Sequence, residues 1–213
     1  MSATITVDAA RVELLLNELR LPGIKLMWAK LAEQSDKEGW PAARFLAAIA
    51  EHEMVDRGRR RMERHLAEAR LPAGKTLATF DFDSVPMVSK AQVMALASGD
   101  EWLAKGANIL LFGPPGGGKS HLSSALGLAL IENGRRVFFA RTTDLVQRLQ
   151  IARREFALES AIAKLDRYDL LILDDLAYVT KDREETSVLF ELIAARSAQQ
   201  SARTARWSRL GPW

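Results

Sequence analysis

No cysteine occurs among the 213 residues, which excludes disulfides and thiolate metal sites and makes a reducing cytoplasm the expected setting. Histidine is almost as scarce: His52, His65 and His121 are the three, too scattered to read as a metal cluster. No uninterrupted apolar run approaches the ~20 residues of a membrane span. The first residues, Ser2 to Asp8, lack a basic segment leading into an apolar one, so no secretory signal is expected. An excess of one charge is missing too. Arg203, Arg206 and Arg209, in a final stretch from Ser197 without a single acid, account for the whole surplus of 30 basic over 27 acidic side chains. Net charge therefore carries no general case for nucleic-acid binding.

What is present centres on Ile109 to Ser124. An apolar run of strand type, Ile109-Leu110-Leu111-Phe112, meets the loop Gly113-Pro114-Pro115-Gly116-Gly117-Gly118, which ends in Lys119-Ser120-His121 and opens a helical pattern. A glycine separated by four residues from Gly-Lys-Ser, as Gly113 is from Gly118, is the spacing of a phosphate-binding P-loop. Glycines let backbone N–H groups close around phosphate oxygens where a Cβ would obstruct, and the following helix points its positive end at the anion. Lys119 is expected to reach the β- and γ-phosphates, and the Ser120 hydroxyl suits Mg²⁺. Ala69 to Thr76 imitates the pattern, but it follows a charged helical stretch and has a lone glycine, Gly74, so it is set aside.

Upstream, three helices are expected: Asp8 to Leu21, Ile24 to Lys37 after Pro22-Gly23, and Pro41 to about Arg70 after Gly39-Trp40. Their inward faces would be Val12, Leu15, Leu16 and Leu19, then Leu26, Met27 and Leu31, then Phe45, Leu46 and Ile49. The arginines Arg57, Arg59, Arg60, Arg61 and Arg64 read as a solvated face, with Glu53–Arg57 and Arg64–Glu68 pairs available, in preference to a phosphate-contacting surface. The expected divisions are a helical module over 1–72, a linker with short helices over 73–106, a P-loop core over 107–196 and an atypical basic tail over 197–213, disordered or helical. Phe80 and Phe82 in the linker are expected to pack against the core.

After the P-loop come a helix from Lys119 to about Asn133, a strand over Val137 to Ala140, and helix in two pieces from Thr143 to Leu165. Asp169 to Asp175 then reads as a buried strand releasing two carboxylates at its C-terminal end, where ligands bind in open α/β sheets. That places Asp174 near Mg²⁺ and Asp175 near the attacking water. A helix from Glu184 to Arg196 follows, with Val188, Leu189, Leu192 and Ile193 on one face. The alternation implies an α/β fold with a parallel sheet covered on both faces.

Phe80-Asp81-Phe82, Leu111 to Gly116 with Gly118 to Leu122, Leu171 to Leu176 and Glu185 to Ile193 together resemble the IstB-like ATP-binding family. These are helpers of insertion-element transposition, AAA+ ATPases related to DnaC-type helicase loaders. The likeness covers about residues 8 to 196. It implies an AAA+/RecA-like P-loop NTPase core behind a small all-helical domain, with ATP and Mg²⁺ as cofactors. Lys119, Asp174 and Asp175 would be the catalytic set, the loop through His121 the nucleotide contacts, and Ser120 and Asp174 the metal ligands. DNA, a cognate transposase and further copies of the chain would be partners, with ATP as an assembly switch. A DnaC-like loader and a nucleotide-binding remnant without turnover are the alternatives; a P-loop small-molecule kinase fits the helical module poorly.

Family members continue past the Ala194-Ala195-Arg196 helix into a buried strand with a polar sensor residue, an intersubunit arginine and a final strand. Ser197 to Trp213 does not read that way, so the resemblance implies a truncated core and weak turnover. In the family's sheet order 5-1-4-3-2 the fourth strand lies between the P-loop strand and the Asp169–Asp174 strand. Its absence would leave a slot of roughly 10 Å.

Overall fold

The computed structural model describes residues 2–176 and 186–197. The chain divides into two compact units, Met1–Glu63 and Arg64–Trp213. The first holds α1 (Ser2–Glu18), α2 (Pro22–Glu38) and most of α3 (Ala42–Ala69). Helix α1 starts well before Asp8, so that residue lies inside the helix and does not cap it. Pro22 sits in the first turn of α2, where its missing N–H is no loss. Gly39 ends that helix at φ +63°, its N–H returning to the Ser35 carbonyl.

The expected inward faces are only partly buried. Leu31 is buried, but Leu15, Leu19, Leu26 and Leu46 are 47, 63, 79 and 64% exposed. The polar joint between α2 and α3 is better made. Glu53, buried, accepts the Ile24 N–H at 3.0 Å and the Arg57 Nε–H at 2.7 Å. A carboxylate thus meets the orphan donors at the start of α2. Burial pushes the Glu53 carboxyl up, but the Arg57 hydrogen bond, the Ile24 and Gly23 amides and the Arg57 charge more than offset it, and the pKa lies below the ordinary value. The arginine run pairs along its own helix, Arg57 with Glu53, Arg59 with Asp56 and Glu63, and Arg60 with Asp56. Glu68 departs from expectation: it pairs with Arg136 at 2.7 Å, and that hydrogen bond is the main reason its carboxyl is held below the usual range.

The second unit contains α4 (Lys90–Ser98), α5 (Asp100–Ala104), α6 (Lys119–Glu132), β1 (Val137–Arg141), α7 (Thr142–Arg154), α8 (Leu158–Leu165), β2 (Leu170–Asp174) and a last described helix, α9 (186–197). Glu184 and Glu185, expected in that helix, and the tail from 198 lie outside the described residues. Strands β1 and β2 pair in parallel, from Val137 opposite Leu170 to Arg141 opposite Asp174. Alternate residues leave on opposite faces. Phe138 and Ala140 join Leu145, Val146, Leu149, Ile162, Leu165 and Leu192. Val137, Phe139 and Ile172 join Ala69, Leu130 and Ile131 on the other face.

One expected strand does not form. Ile109 to Phe112 belongs to no ladder, and Phe112 is 86% exposed. The described sheet therefore has two strands, not the fuller parallel sheet expected. A strand is defined by its neighbour, and among the described residues none pairs with this segment. Between 107–108 and β2 lies a cleft lined by Trp102, Leu103, Asn108, Leu171, Leu173 and Ile193. Among the described residues the segment 109–112 does not pair with β2. No helix among the described residues is long and apolar enough to cross a membrane.

Candidate nucleotide-binding site

Local backbone demands build the loop before α6. Gly116 and Gly118 take φ +79° and +75°, left-handed values that favour glycine. The Gly117 N–H donates to the Pro114 carbonyl at 3.2 Å and the Gly118 N–H to that of Gly116 at 2.9 Å, which curls the loop over the start of the helix. Gly118 is the N-cap residue of α6, and the helix begins at Lys119. The N–H groups of its first turn have no carbonyl partner inside the helix and form an anion-seeking end.

The Lys119 ammonium donates to the Gly113 and Pro114 carbonyls, at 2.9 and 2.8 Å. It is folded over the loop, at the place a phosphate would offer stronger acceptors. Ser120 Oγ donates to Asp174 Oδ1 at 2.8 Å. Two residues 54 positions apart are thereby joined across the gap from α6 to the C-terminal end of β2. Paired oxygens of this kind suit Mg²⁺, which takes a hard oxygen donor or two from protein and keeps waters and phosphates as its other ligands. No cluster of three or more His, Cys, Asp or Glu that could hold a metal occurs among the described residues.

Asp175 is exposed and sits at φ +59°, an uncommon backbone state for a residue with a Cβ. It follows directly on Asp174, the last residue of the ladder. Gly113, Pro114, Pro115 and Gly116 are exposed loop residues, while Gly117 through His121 are half-buried. His121 turns to the segment upstream of α4: its Nε2 lies 3.1 Å from the Thr76 carbonyl and 3.2 Å from Thr79 Oγ1.

Sequence reading missed several supports. Thr142, fully buried, donates through Oγ1 to the backbone carbonyl of Asp174 at 2.7 Å and fixes where the carboxylate leaves the strand. Gly127 admits β2 to α6; a Cβ there would stand 2.8 Å from Ile172 Cδ1. Phe80, expected only to pack on the core, covers Gly118 of the loop itself. A hydroxyl beside a strand end and a glycine inside a helix carry no periodic signal, so only the tertiary contact marks them.

Comparison with known proteins matches the sequence to one family. The family described as "IstB-like ATP binding protein" matches residues 14–213. A Sinorhizobium fredii protein named as an insertion sequence ATP-binding protein is 71% identical over 208 residues, covering 98% of this chain and 70% of that protein. One named for ATP binding in insertion sequence IS21 of Pseudomonas aeruginosa is 36% identical over 190 residues, covering 89% and 71% respectively. Its counterpart from insertion sequence IS5376 of Geobacillus stearothermophilus is 31% identical over 180 residues, covering 84% and 71%.

Proposed function

Since the chain belongs to the family of IstB-like ATP-binding proteins, we propose that it is an ATP-binding helper of DNA transposition, acting with a transposase in the choice of target DNA. ATP serves as the switch for assembly of several copies on DNA. The observation that carries the nucleotide part is the Ser120–Asp174 hydrogen bond beside a glycine loop whose lysine is already folded over it. Insertion-sequence names among the relatives support the transposition part.

In this reading the first-turn amides of α6 receive phosphate oxygens, and the Lys119 ammonium leaves the Gly113 and Pro114 carbonyls for the β- and γ-phosphates. Ser120 and Asp174 hold Mg²⁺, which neutralises phosphate charge when bound. Asp175 stands near the water that attacks. The helical module, residues 1–72, supplies contacts to partners or other copies, a role supported by its exposed Leu19, Leu26 and Leu46.

Calorimetric titration with Mg²⁺-ATP tests the nucleotide part. Lys119→Ala is expected to weaken binding roughly 10- to 100-fold, the loss of charge-assisted hydrogen bonds to phosphate. Equal affinity in wild type and variant would contradict it. Co-purification with a transposase, and not with a replicative helicase, tests the rest.

A further inference from the structure

The segment 74–82 reaches the P-loop by two contacts. The first is polar. A carbonyl can only accept, so His121 Nε2, 3.1 Å from the Thr76 carbonyl, must carry the proton and donate. The same N–H lies 3.2 Å from Thr79 Oγ1. Thr79 in turn closes its own loop: its N–H donates to Thr76 Oγ1 at 3.1 Å, and its Oγ1 accepts the Thr76 N–H at 3.1 Å. One imidazole therefore holds a small self-bonded turn.

The second contact is apolar. Phe80, 8% exposed, packs with Val93, Ala97, Leu122 and Leu126. Its ring stands edge-on to Phe82 at 4.8 Å and to His121 at 5.4 Å. A Cβ on Gly118 would stand 3.0 Å from Phe80 Cε2, so the ring is a wall directly behind the last loop glycine. Gly118 and His121 flank Lys119 and Ser120. Both anchor points of the segment thus bracket the two side chains assigned to phosphate and Mg²⁺.

We propose that His121 is a positioning residue that couples the docking of segment 74–82 to nucleotide occupancy of the P-loop. With the turn docked, Gly118 and the first-turn amides of α6 are held in their phosphate-receiving arrangement. Binding is strengthened because less ordering remains to be done. By linkage, phosphate in the loop tightens the docking of the segment to the same degree. The segment thereby reports the state of the site to the chain on its N-terminal side. The inference rests on the nucleotide reading above, and goes beyond it in giving the site an output.

The test combines Mg²⁺-ATP calorimetry with amide hydrogen exchange of residues 74–82 in the full chain. In wild type, Mg²⁺-ATP is expected to slow exchange in that segment. His121→Ala is expected to bind about five- to tenfold more weakly, the worth of one hydrogen bond, and to lose the nucleotide dependence of exchange. His121→Gln, whose amide can donate to the Thr76 carbonyl and accept from Thr79, is expected to restore both; a merely structural role would not be rescued in this paired way. Should His121→Ala fail to fold, Thr79→Val against Thr79→Ser gives the same contrast from the other side of the contact. Wild-type affinity and unaltered nucleotide-dependent protection in His121→Ala would overturn the inference alone. No binding by the wild type would overturn the nucleotide reading and this inference with it.

Discussion

Gly118 sits under three constraints at once: a left-handed φ of +75°, a Phe80 ring 3.0 Å from where a Cβ would be, and the N-cap of the helix that carries Lys119 and Ser120. Gly118→Ala is expected to cost about 1–2 kcal/mol from backbone conformation alone, with further loss from the ring, and to weaken Mg²⁺-ATP binding. Chemical denaturation and calorimetry read the two effects. Glu53 makes a different residue-scale case. Its carboxyl pKa is lowered in the folded state, so its contribution is present above the ordinary carboxylate range and is lost as pH falls through the folded pKa. Glu53→Gln is expected to lose about 1.5–3 kcal/mol near neutral pH, the range for a charged hydrogen bond. The gap from wild type should close on acidification. Circular dichroism melts at several pH values check it; a gap that stays constant with pH contradicts the assignment. Lys119, Ser120 and Asp174 were legible as residue types at known spacings. Thr142 and Thr79 were not, because their hydroxyls gain meaning only from a carbonyl or a ring brought in by the fold.

At the scale of elements, α6 is the hinge between loop and sheet. Gly127 lets it approach β2 closely: a Cβ would meet Ile172 Cδ1 at 2.8 Å, Leu71 Cδ2 at 3.2 Å and Val137 Cγ1 at 3.3 Å. Gly127→Val is expected to destabilise the second unit by about 1–3 kcal/mol through overpacking, and to disturb Mg²⁺-ATP binding by shifting Ser120 relative to Asp174. Denaturation midpoints and calorimetry measure both. The helices of the first unit raise the opposite issue. Their existence and breaks at Pro22 and Gly39 were legible from period and punctuation, but Leu19, Leu26 and Leu46 read as core and are exposed. Hydrophobic period reports which face seeks burial, not whether the same chain supplies the cover. Leu19→Lys with Leu26→Lys is expected to lower self-association, measured by light scattering, while helix content stays the same. Unchanged association would remove these leucines from any contact surface.

For the whole molecule, the α/β alternation was legible because β1 and β2 carry continuous apolar runs, although only β1 is buried along most of its length, and β2, expected fully buried, buries Ile172 alone. The segment 109–112 has an equally apolar run and makes no ladder. Strand formation needs a pairing partner outside the segment, none pairs with it among the described residues, and no property of Ile109 to Phe112 alone could reveal that. The cleft beside β2 has a consequence for how the protein loses its structure. Among the described residues β2 is paired on one side only, and a strand edge flanked by Leu171 and Leu173 offers backbone groups to any extended chain that reaches it. Warming should expose that template before the core melts, and copies that join there would not separate on cooling. Calorimetric scans are then expected to give an irreversible transition whose midpoint rises with scan rate, so that resistance to heat is a matter of time and concentration, not of an equilibrium. A reversible transition, independent of scan rate and protein concentration, would show that the edge is closed to other chains.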